Sequence, residues 1–178
     1  MKYCSECGSE TEKRIPEGDN RERDCCKGCD LIHYTNPKII VGTIPVKDES
    51  ILLCKRAIEP RYGKWTLPGG FLENGETVSQ GAFRETLEET NTKVEMGELY
   101  AIFNVPQINQ VYMLYLAKVI KDDFSATTES LEVEFFNEAN IPWEELAFPF
   151  VPIALKNVFA DMKKNEFPLT THTIERRK

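Results

Sequence analysis

Three glutamates that lie close together in the sequence could bind a divalent cation. Glu85, Glu88 and Glu89 fall in segment 77–90, whose pattern predicts a helix. At about 100° per residue, Glu88 and Glu89 lie roughly 60° and 40° to either side of Glu85, so the three carboxylates share one face. Like charges at this spacing repel one another, and Mg²⁺, which takes oxygen ligands, would remove that repulsion.

The loop before this helix decides between a metal site and an acidic face that only contacts solvent. A Pro-Gly-Gly run at residues 68–70 precedes the helix, and paired glycines let backbone carbonyls approach a ligand closely. Arg84 can orient a neighbouring carboxylate through a forked hydrogen bond. These neighbours favour the metal site. Phe83 and Leu87 lie on the opposite face of the helix and are predicted to pack on a sheet.

The hydrophobic pattern predicts the elements that position these groups. A break at Asn36-Pro37 separates residues 1–34, which have no apolar period, from a domain at 37–178. In that domain, strands mixed with two helices predict an α+β fold in which helices cover a mixed sheet. The second helix, Val151–Lys163, carries its apolar residues on one face. The predicted strands are Lys38–Val46, Ser50–Lys55, Val94–Val105, Val111–Val119 and Leu131–Phe136.

Two cysteine pairs near the start of the chain predict a zinc site. Cys4 and Cys7 are followed, after 18 intervening residues, by Cys26 and Cys29. This is the spacing of a zinc ribbon, in which four thiolates hold Zn²⁺ tetrahedrally. A segment of 34 residues without a core would obtain its fold from the metal. Cys25 is an alternative to Cys26, although its spacing to the last cysteine is poorer.

Composition and charge exclude several classes of protein. The net charge is −7, and residues 1–34 carry six Lys and Arg against eight Asp and Glu, so nucleic acid is not an expected partner. No apolar run has the form of a signal peptide or a membrane span, so a cytoplasmic location is expected. A reducing compartment favours thiols over disulfides. Cys54, alone in a predicted strand, is expected to be a buried, inert thiol.

The charged residues around the glycine loop resemble the Nudix box. Glu76 follows Gly70 after five residues, and Arg84 follows Glu76 after seven, directly ahead of the glutamate cluster. Every charged position of the box has its residue, and both gaps have the right length. The resemblance extends over roughly residues 37–164. It implies an α/β/α sandwich with a mixed sheet, preceded here by the zinc ribbon.

Three positions depart from the pattern of the box. Thr86 and Thr92 stand where the pattern has apolar residues, which is expected to weaken the packing slightly. Asn91 replaces a glycine, and asparagine is the next-best residue for a left-handed cap at the end of a helix. None of the three substitutions removes a group that is needed for the chemistry.

The resemblance also implies a reaction and the residues that perform it. Nudix enzymes hydrolyse nucleoside diphosphates linked to another group, using divalent metal that makes a bound water more acidic. One glutamate could accept the proton of that water. By this resemblance, Glu76 and Arg84 hold the loop and helix in register. The implied ligands of Mg²⁺ or Mn²⁺ are Glu85, Glu88, Glu89 and the carbonyl of Gly69.

Many members of the family use another acid from a later loop. Glu129 is favoured for this role because it lies just before a predicted strand. Glu132 and Glu134 alternate with apolar residues, which is typical of strand positions that face solvent.

Two zinc-bearing Nudix groups are candidates for the substrate class. The NADH pyrophosphatases carry a long proline-rich array after the box, of which this chain has only Phe148-Pro149-Phe150. The FAD/ADP-ribose pyrophosphatases of plant chloroplast type are similar over most of the chain, including Leu52–Arg56 and Lys64–Pro68. This favours an ADP-linked substrate such as FAD or ADP-ribose, with AMP as a product. The alternatives are NADH, a dinucleoside polyphosphate, or a non-catalytic role in nucleotide binding.

Three residues are candidates for contacts with the substrate. Arg56 could meet a phosphate through a bidentate contact. Trp65 could stack on a base, although an aromatic residue in a Gly- and Pro-rich loop more often serves packing. Gln107 lies in a proline-containing loop, and such loops often carry binding residues. The resemblance further suggests a homodimer.

Overall fold

A computed structural model describes residues 1–121 and 123–175. The chain divides into two units, Met1–Pro37 and Lys38–Lys178. The basic residues 176–178 lie outside the described part of the chain. None of the helices in that described part is long and apolar enough to span a membrane.

The first unit is a small antiparallel sheet with few buried side chains. Its strands pair in the order β1-β2-β3. Its buried residues include Cys4, Asp24, Cys25 and Cys26, so sulfur atoms occupy much of its interior. The strands are β1 (Thr11–Arg14), β2 (Arg23–Cys26) and β3 (Ile32–His33).

The second unit is built on one mixed sheet. Its main path runs β10-β5-β4-β9-β8-β11, with β6 beside β5 and β7 beside β4. Strand β4 runs parallel to β9, and β8 runs parallel to β11, whereas the other pairs are antiparallel. The strands are β4 (Lys38–Lys47), β5 (Ser50–Arg56), β6 (Trp65–Thr66), β7 (Gly69–Phe71), β8 (Val94–Val105), β9 (Gln110–Val119), β10 (Ser130–Phe136) and β11 (Thr170–Thr173).

Two helices cover this sheet, as the sequence predicted. The helices are α1 (Val78–Thr90) and α2 (Phe150–Lys164), and short 3₁₀ turns occupy Pro106–Ile108 and Trp143–Glu145. The sequence predicted all five long strands to within one residue at each end. It did not predict β6, β7 or β11, because segments of two to four residues are too short to show a period.

The two helices lie on opposite faces of the sheet. Successive side chains of a strand point to opposite faces. In β4, the Thr43 hydroxyl contacts Thr86 of α1, whereas Ile44 belongs to the core around α2. That core is apolar, and its residues from α2 are Phe150, Val151, Ala154, Leu155, Val158 and Phe159.

Helix α1 buries a wider face than the sequence predicted. Phe83 is partly buried and packs against Val94, Ala117 and Val119 of the sheet, as predicted, and Leu87 is also partly buried. The fully buried residues are small or polar, and a side chain at Gly81 would meet the Val41 side chain of β4. Small residues let the helix backbone approach the sheet, so the carboxylates on this face become buried. The buried residues of α1 are Gly81, Ala82, Glu85, Thr86, Glu89 and Thr90.

Both ends of α1 carry defined caps. The Thr77 hydroxyl accepts a hydrogen bond from the Gln80 N–H, and the Gln80 side chain accepts one from the Thr77 N–H. At the other end, Asn91 has φ 54° and its N–H donates to the Leu87 carbonyl. The predicted left-handed cap at Asn91 is therefore present, and the helix is fixed on both sides of the glutamate cluster.

The two threonines that depart from the box pattern are polar residues in the interior of the domain. Thr86 and Thr92 are fully buried. The Thr86 hydroxyl donates to the Ala82 carbonyl at 2.7 Å, so its oxygen accepts the hydrogen bond from the Thr43 hydroxyl, also at 2.7 Å. Two buried hydroxyls therefore satisfy each other between α1 and β4.

This hydroxyl pair predicts strongly coupled substitutions. Thr86→Val leaves the buried Thr43 hydroxyl without its acceptor, so it should lower the free energy of unfolding by about 1–3 kcal/mol. Thr43→Val with Thr86→Val removes both hydroxyls and should cost clearly less than the sum of the two single substitutions. Urea unfolding of the four proteins measures this coupling, and additive costs would contradict the pairing.

Candidate functional site

The glycines before α1 bring the backbone of β7 against both β4 and the carboxylate helix. A Cβ atom at Gly69 would lie 2.7 Å from the Val41 carbonyl oxygen. A Cβ atom at Gly70 would collide with the Glu85 carboxylate. Only glycine permits both approaches, which explains why a Gly-Gly pair precedes this helix.

Glu89 is the most deeply buried of the three clustered glutamates. It is 4% exposed, and its Oε2 accepts a hydrogen bond from the Gly69 N–H at 2.9 Å. Burial raises the pKa of Glu89 to about 7, the Gly69 N–H opposes this rise, and the charge of Glu85 adds to it. A buried carboxylate beside a second carboxylate is costly, and a bound cation would offset that cost.

Arg84 holds the other two glutamates. Its Nη1 donates to Glu85 at 2.7 Å and to Glu88 at 3.0 Å. Glu85 is 9% exposed, whereas Glu88 is exposed to solvent. Burial raises the pKa of Glu85, Arg84 opposes that rise, and the charges of Glu88 and Glu129 add to it. The cluster therefore extends from the protein interior at Glu89 to solvent at Glu88.

Glu76 anchors Arg84 from the loop. Its carboxylate accepts hydrogen bonds from Arg84 Nη2 at 2.8 Å, from Arg84 Nε at 3.0 Å and from the Glu73 N–H at 2.7 Å. Arg84 Nη2 also donates to the Phe71 carbonyl of β7. This geometry ties the loop to the helix, which is the role that the resemblance implied for the pair.

The charges of Glu129 and Arg56 also act on the glutamate cluster. Glu129 is exposed in the loop before β10, and its charge raises the pKa of Glu85. Arg56, at the end of β5, is 8% exposed, and its charge opposes the rise in the pKa of Glu89. The Ala57 N–H donates to the Glu129 carbonyl, so the two predicted residues are held together by the backbone.

Arg56 is fixed in a partly aromatic pocket. Its Nε donates to the Pro60 carbonyl at 2.8 Å, and its guanidinium lies 5.2 Å from the centre of the Phe148 ring. The Phe148 ring stacks in turn on Phe150, which also contacts Tyr112. Sequence reasoning did not identify these aromatic residues, because each belongs to a segment that also reads as ordinary core.

Trp65 and Gln107, the other two residues predicted to contact the substrate, differ in their burial. Trp65 is 5% exposed and packs edge-on against Phe136, with ring centres 4.9 Å apart. This placement favours the packing role over stacking on a base. Gln107 is exposed in a 3₁₀ turn. Within residues 1–121 and 123–175, it makes no hydrogen bond or ion pair with the glutamate cluster.

The first unit contains a separate cluster of sulfur atoms. The Sγ atoms of Cys4, Cys7, Cys26 and Cys29 all lie within 4.8 Å of one another. The Cys7–Cys26 and Cys4–Cys29 distances are 3.4 and 3.8 Å. Tetrahedral zinc with Zn–S bonds of about 2.3 Å requires sulfurs about 3.8 Å apart, so the cluster fits Zn²⁺.

Cys25 is not part of this cluster. It is fully buried, and its Sγ contacts the Arg23 carbonyl. Two backbone N–H groups, from Gly28 and Cys29, donate to Cys26 Sγ, which is typical of a thiolate ligand. The geometry therefore favours Cys26 over Cys25 as the fourth ligand.

The two sets of donors differ in chemistry. Sulfur ligands in a closed tetrahedron suit zinc, whereas the carboxylates of α1 offer only hard oxygens, which suit Mg²⁺ or Mn²⁺. Among the described residues, the cysteines are the one group of three or more such ligands already gathered within 4.8 Å. Arg84 Nη1 occupies one carboxylate oxygen each of Glu85 and Glu88, so a metal that takes those oxygens would have to replace these hydrogen bonds.

A concave region of about 1270 Å³ lies away from the glutamate cluster. It is formed by the ends of β4, β8 and β9 together with the end of α2, and Met96, Leu116 and Phe167 contribute apolar surface. None of the predicted site residues lines it. The functional site is therefore located by the chemistry of its side chains and not by the volume of this region.

Comparison with known proteins matches this chain to two families. The NUDIX domain family matches residues 36–161, and the family described as Nudix N-terminal, a zinc ribbon, matches residues 2–35. A crystal structure of a Nudix hydrolase from Nitrosomonas europaea is 51% identical, with a TM-score of 0.92 over 98% of this chain and 100% of that chain.

Two curated relatives have named activities. An ADP-ribose pyrophosphatase from Methanocaldococcus jannaschii is 35% identical over 65% of this chain and 69% of its own length. An NAD-capped RNA hydrolase NudC from Photorhabdus laumondii is 32% identical over 65% of this chain and 43% of its own length. The chain thus spans about half of the length of these NudC relatives. The matched share of their own length is 43% to 53% in the four that match 65% to 80% of this chain.

The chain belongs to the Nudix family and carries the zinc ribbon that precedes the catalytic domain in part of that family. It is a Nudix pyrophosphohydrolase. Enzymes of this family need a divalent metal.

The Glu76–Arg84 pair predicts a pH-dependent contribution to stability. Hydrogen bonds from Arg84 and from the Glu73 N–H lower the pKa of Glu76 from 4.5 to about 2. Since the folded pKa is depressed, the ion pair stabilises the fold above pH 4.5, and this contribution is lost as the pH falls toward 2. Glu76→Gln should therefore lower Tm at neutral pH, and the difference from wild type should shrink between pH 5 and 2.

Thermal unfolding of both proteins in matched buffers without added divalent metal measures this difference. Loss of zinc at low pH affects both proteins alike and cancels in the comparison. A difference in Tm that stays constant down to the lowest pH would contradict the assignment of Glu76 as the partner of Arg84.

Proposed function

We propose that this enzyme hydrolyses the pyrophosphate bond of an ADP-linked nucleotide, ADP-ribose or FAD, and releases AMP. The observation that carries the proposal is the buried carboxylate cluster of Glu85 and Glu89 packed directly against the Gly69–Gly70 backbone. The similarity to a named ADP-ribose pyrophosphatase supports the substrate class.

Glu85, Glu88, Glu89 and the carbonyl of Gly69 would hold Mg²⁺ or Mn²⁺. When bound, such ions neutralise the diphosphate and make water more acidic near neutral pH. Burial of Glu85 and Glu89 supports this assignment, because the strain of two neighbouring buried carboxylates is relieved by a cation.

The remaining residues position the substrate and move a proton. Arg84, anchored by Glu76, holds the glutamates on the side of the loop. The water that attacks phosphorus gives up a proton, which Glu89 or the loop acid Glu129 would accept. The bond between that phosphorus and the bridging oxygen breaks, so ADP-ribose yields AMP and ribose 5-phosphate, and FAD yields AMP and FMN.

Arg56 is proposed to bind a phosphate of the substrate. Its Nε is occupied by the Pro60 carbonyl, and the Phe148 ring covers the guanidinium. In the described part of the chain, no carboxylate forms an ion pair with it. A buried guanidinium that forms no ion pair in the described residues, and whose charge acts on Glu89, fits an anionic substrate group.

The named activity of the NudC relatives supports a second candidate substrate class. These proteins act on NAD-capped RNA, and their likeness extends over as much as 80% of this chain. NAD-capped RNA therefore joins NADH and dinucleoside polyphosphates, the alternatives predicted from the sequence. The acidic charge of this chain favours a free nucleotide over a capped RNA.

Turnover of a panel of nucleotides tests the proposal. With Mg²⁺ or Mn²⁺, ADP-ribose or FAD should be hydrolysed to AMP faster than NADH, diadenosine polyphosphates or NAD-capped RNA, as measured by product chromatography. Preferential cleavage of NADH or NAD-capped RNA would assign the enzyme to the other branch.

Substitution of one glutamate tests the assigned metal ligands. Glu89→Gln keeps the size of the side chain and an oxygen that can accept from the Gly69 N–H, so the fold should be retained. The variant should lose turnover by about 10²–10³-fold, corresponding to several kcal/mol of lost stabilisation. Glu134→Gln, the same change at an exposed strand position, is the matched control and should retain full turnover. Equal turnover of the two variants would refute the assignment.

The zinc ribbon is proposed to be structural. Purified wild-type protein should contain one zinc per chain by elemental analysis, even after mild chelation that removes Mg²⁺. Cys26→Ser should lose that zinc and unfold residues 1–34, which have no other core, while the catalytic domain keeps its sheet. Cys25→Ser is the control and should retain zinc. Loss of zinc from Cys25→Ser, with retention in Cys26→Ser, would exchange the two residues in the ligand set.

A further inference from the structure

Cys54 contacts the site from the interior of the sheet. It lies in β5, is 1% exposed, and pairs with Thr66 of β6. Its side chain points to the α1 face of the sheet, where its Sγ lies 3.6 Å from Glu89 Oε2. The sequence predicted an inert core thiol, and burial agrees, but a core position alone does not explain contact with a buried carboxylate.

The thiol has three polar neighbours. Two are acceptors for its hydrogen, Glu89 Oε2 at 3.6 Å and the Thr66 carbonyl oxygen at 3.7 Å. The third is the buried Ser130 hydroxyl, which can donate to the sulfur. A thiol is protonated near neutral pH and carries a single hydrogen, so it donates to one acceptor at a time. A carboxylate is the stronger acceptor because it is charged, and the low dielectric of the interior enhances this difference.

The consequence is an asymmetric Glu89 carboxylate. Oε2 accepts from the Gly69 N–H at 2.9 Å and from the Cys54 thiol. A carboxylate oxygen has two lone-pair sites, so these two donors occupy Oε2. In the described part of the chain, no hydrogen bond reaches Oε1 of Glu89. Oε1 is therefore the oxygen available to a cation or a water.

We propose that Cys54 is a positioning residue that, together with the Gly69 N–H, fixes Glu89 so that Oε1 faces the divalent-metal site. The inference depends on the proposed role of Glu89 as a ligand. Groups that hydrogen-bond to metal ligands orient them, and their loss commonly lowers metal affinity or activity by about 10–100-fold. Cys54 would act in this way without touching the metal or the substrate.

Two substitutions separate this role from simple packing. Cys54→Val fills the space but removes the donor, whereas Cys54→Ser keeps a donor at the same position. If Cys54 only packs, valine is tolerated and the buried serine hydroxyl is the more harmful change. If Cys54 orients Glu89, the order is reversed, and Cys54→Ala, which also lacks the donor, should resemble Cys54→Val.

The experiment uses the full zinc-loaded chain. Binding of Mn²⁺ without nucleotide is titrated by electron paramagnetic resonance, and kcat and KM are measured with the best substrate of the panel. Cys54→Val should weaken Mn²⁺ binding and lower kcat by about tenfold, with KM and Tm nearly unchanged. Cys54→Ser should stay within about threefold of wild type for both quantities.

Each outcome decides the inference. Wild-type Mn²⁺ affinity in Cys54→Val, or a loss in Cys54→Ser as large as that in Cys54→Val, would overturn it. Should Cys54→Val fail to fold, the smaller Cys54→Ala replaces it with the same expected loss. If the wild-type enzyme cleaves no nucleotide of the panel, the proposed substrate class fails, but the Mn²⁺ titration still tests the role of Cys54.

Discussion

The burial of two carboxylates at the contact between α1 and the sheet is the constraint on which the catalytic domain depends. Glu85 and Glu89 are 9% and 4% exposed, burial raises the pKa of both, and the charge of Glu85 raises the cost of ionising Glu89 further. A protein that needed only a stable helix would place such residues in water. The surrounding structure compensates with donors from Arg84 and the Gly69 N–H, and a divalent cation would supply the remaining compensation.

Other features of the domain follow from this contact. Small residues on the inner face of α1 and glycines in β7 bring backbone and carboxylates close together, and a Cβ atom at Gly69 would meet the backbone of β4. The Thr43–Thr86 hydroxyl pair satisfies polar groups that this close approach buries. Glu76 fixes Arg84 from the loop, and caps at Thr77 and Asn91 fix the ends of the helix. The apolar core is formed by the sheet and α2, because the buried side of α1 is largely polar.

The sequence predicted the long elements and the members of the site better than it predicted their environment. Hydrophobic patterns in segments of six residues or more predicted the five long strands, and the charged spacing of the box located Glu85, Glu88 and Glu89. Phe83 packs on the sheet as predicted, but the burial of Glu85 and Glu89 was not predicted, because polarity was taken to mean exposure. On this helix, small residues next to the carboxylates let the backbone approach the sheet, so polar side chains are buried. The contact of Cys54 with Glu89 depends on tertiary structure, and no local pattern indicates it.

The central claim is that the carboxylates of α1 form a divalent-metal site against the glycine strand. Anomalous diffraction from crystals grown with Mn²⁺ and a non-hydrolysable methylene analogue of ADP-ribose tests it most directly. The account predicts manganese peaks coordinated by Glu85, Glu88, Glu89 and the Gly69 carbonyl, with the analogue's diphosphate beside them and Arg56 on a phosphate. Manganese bound elsewhere, with Arg84 still bridging Glu85 and Glu88 and no metal between them, would contradict it.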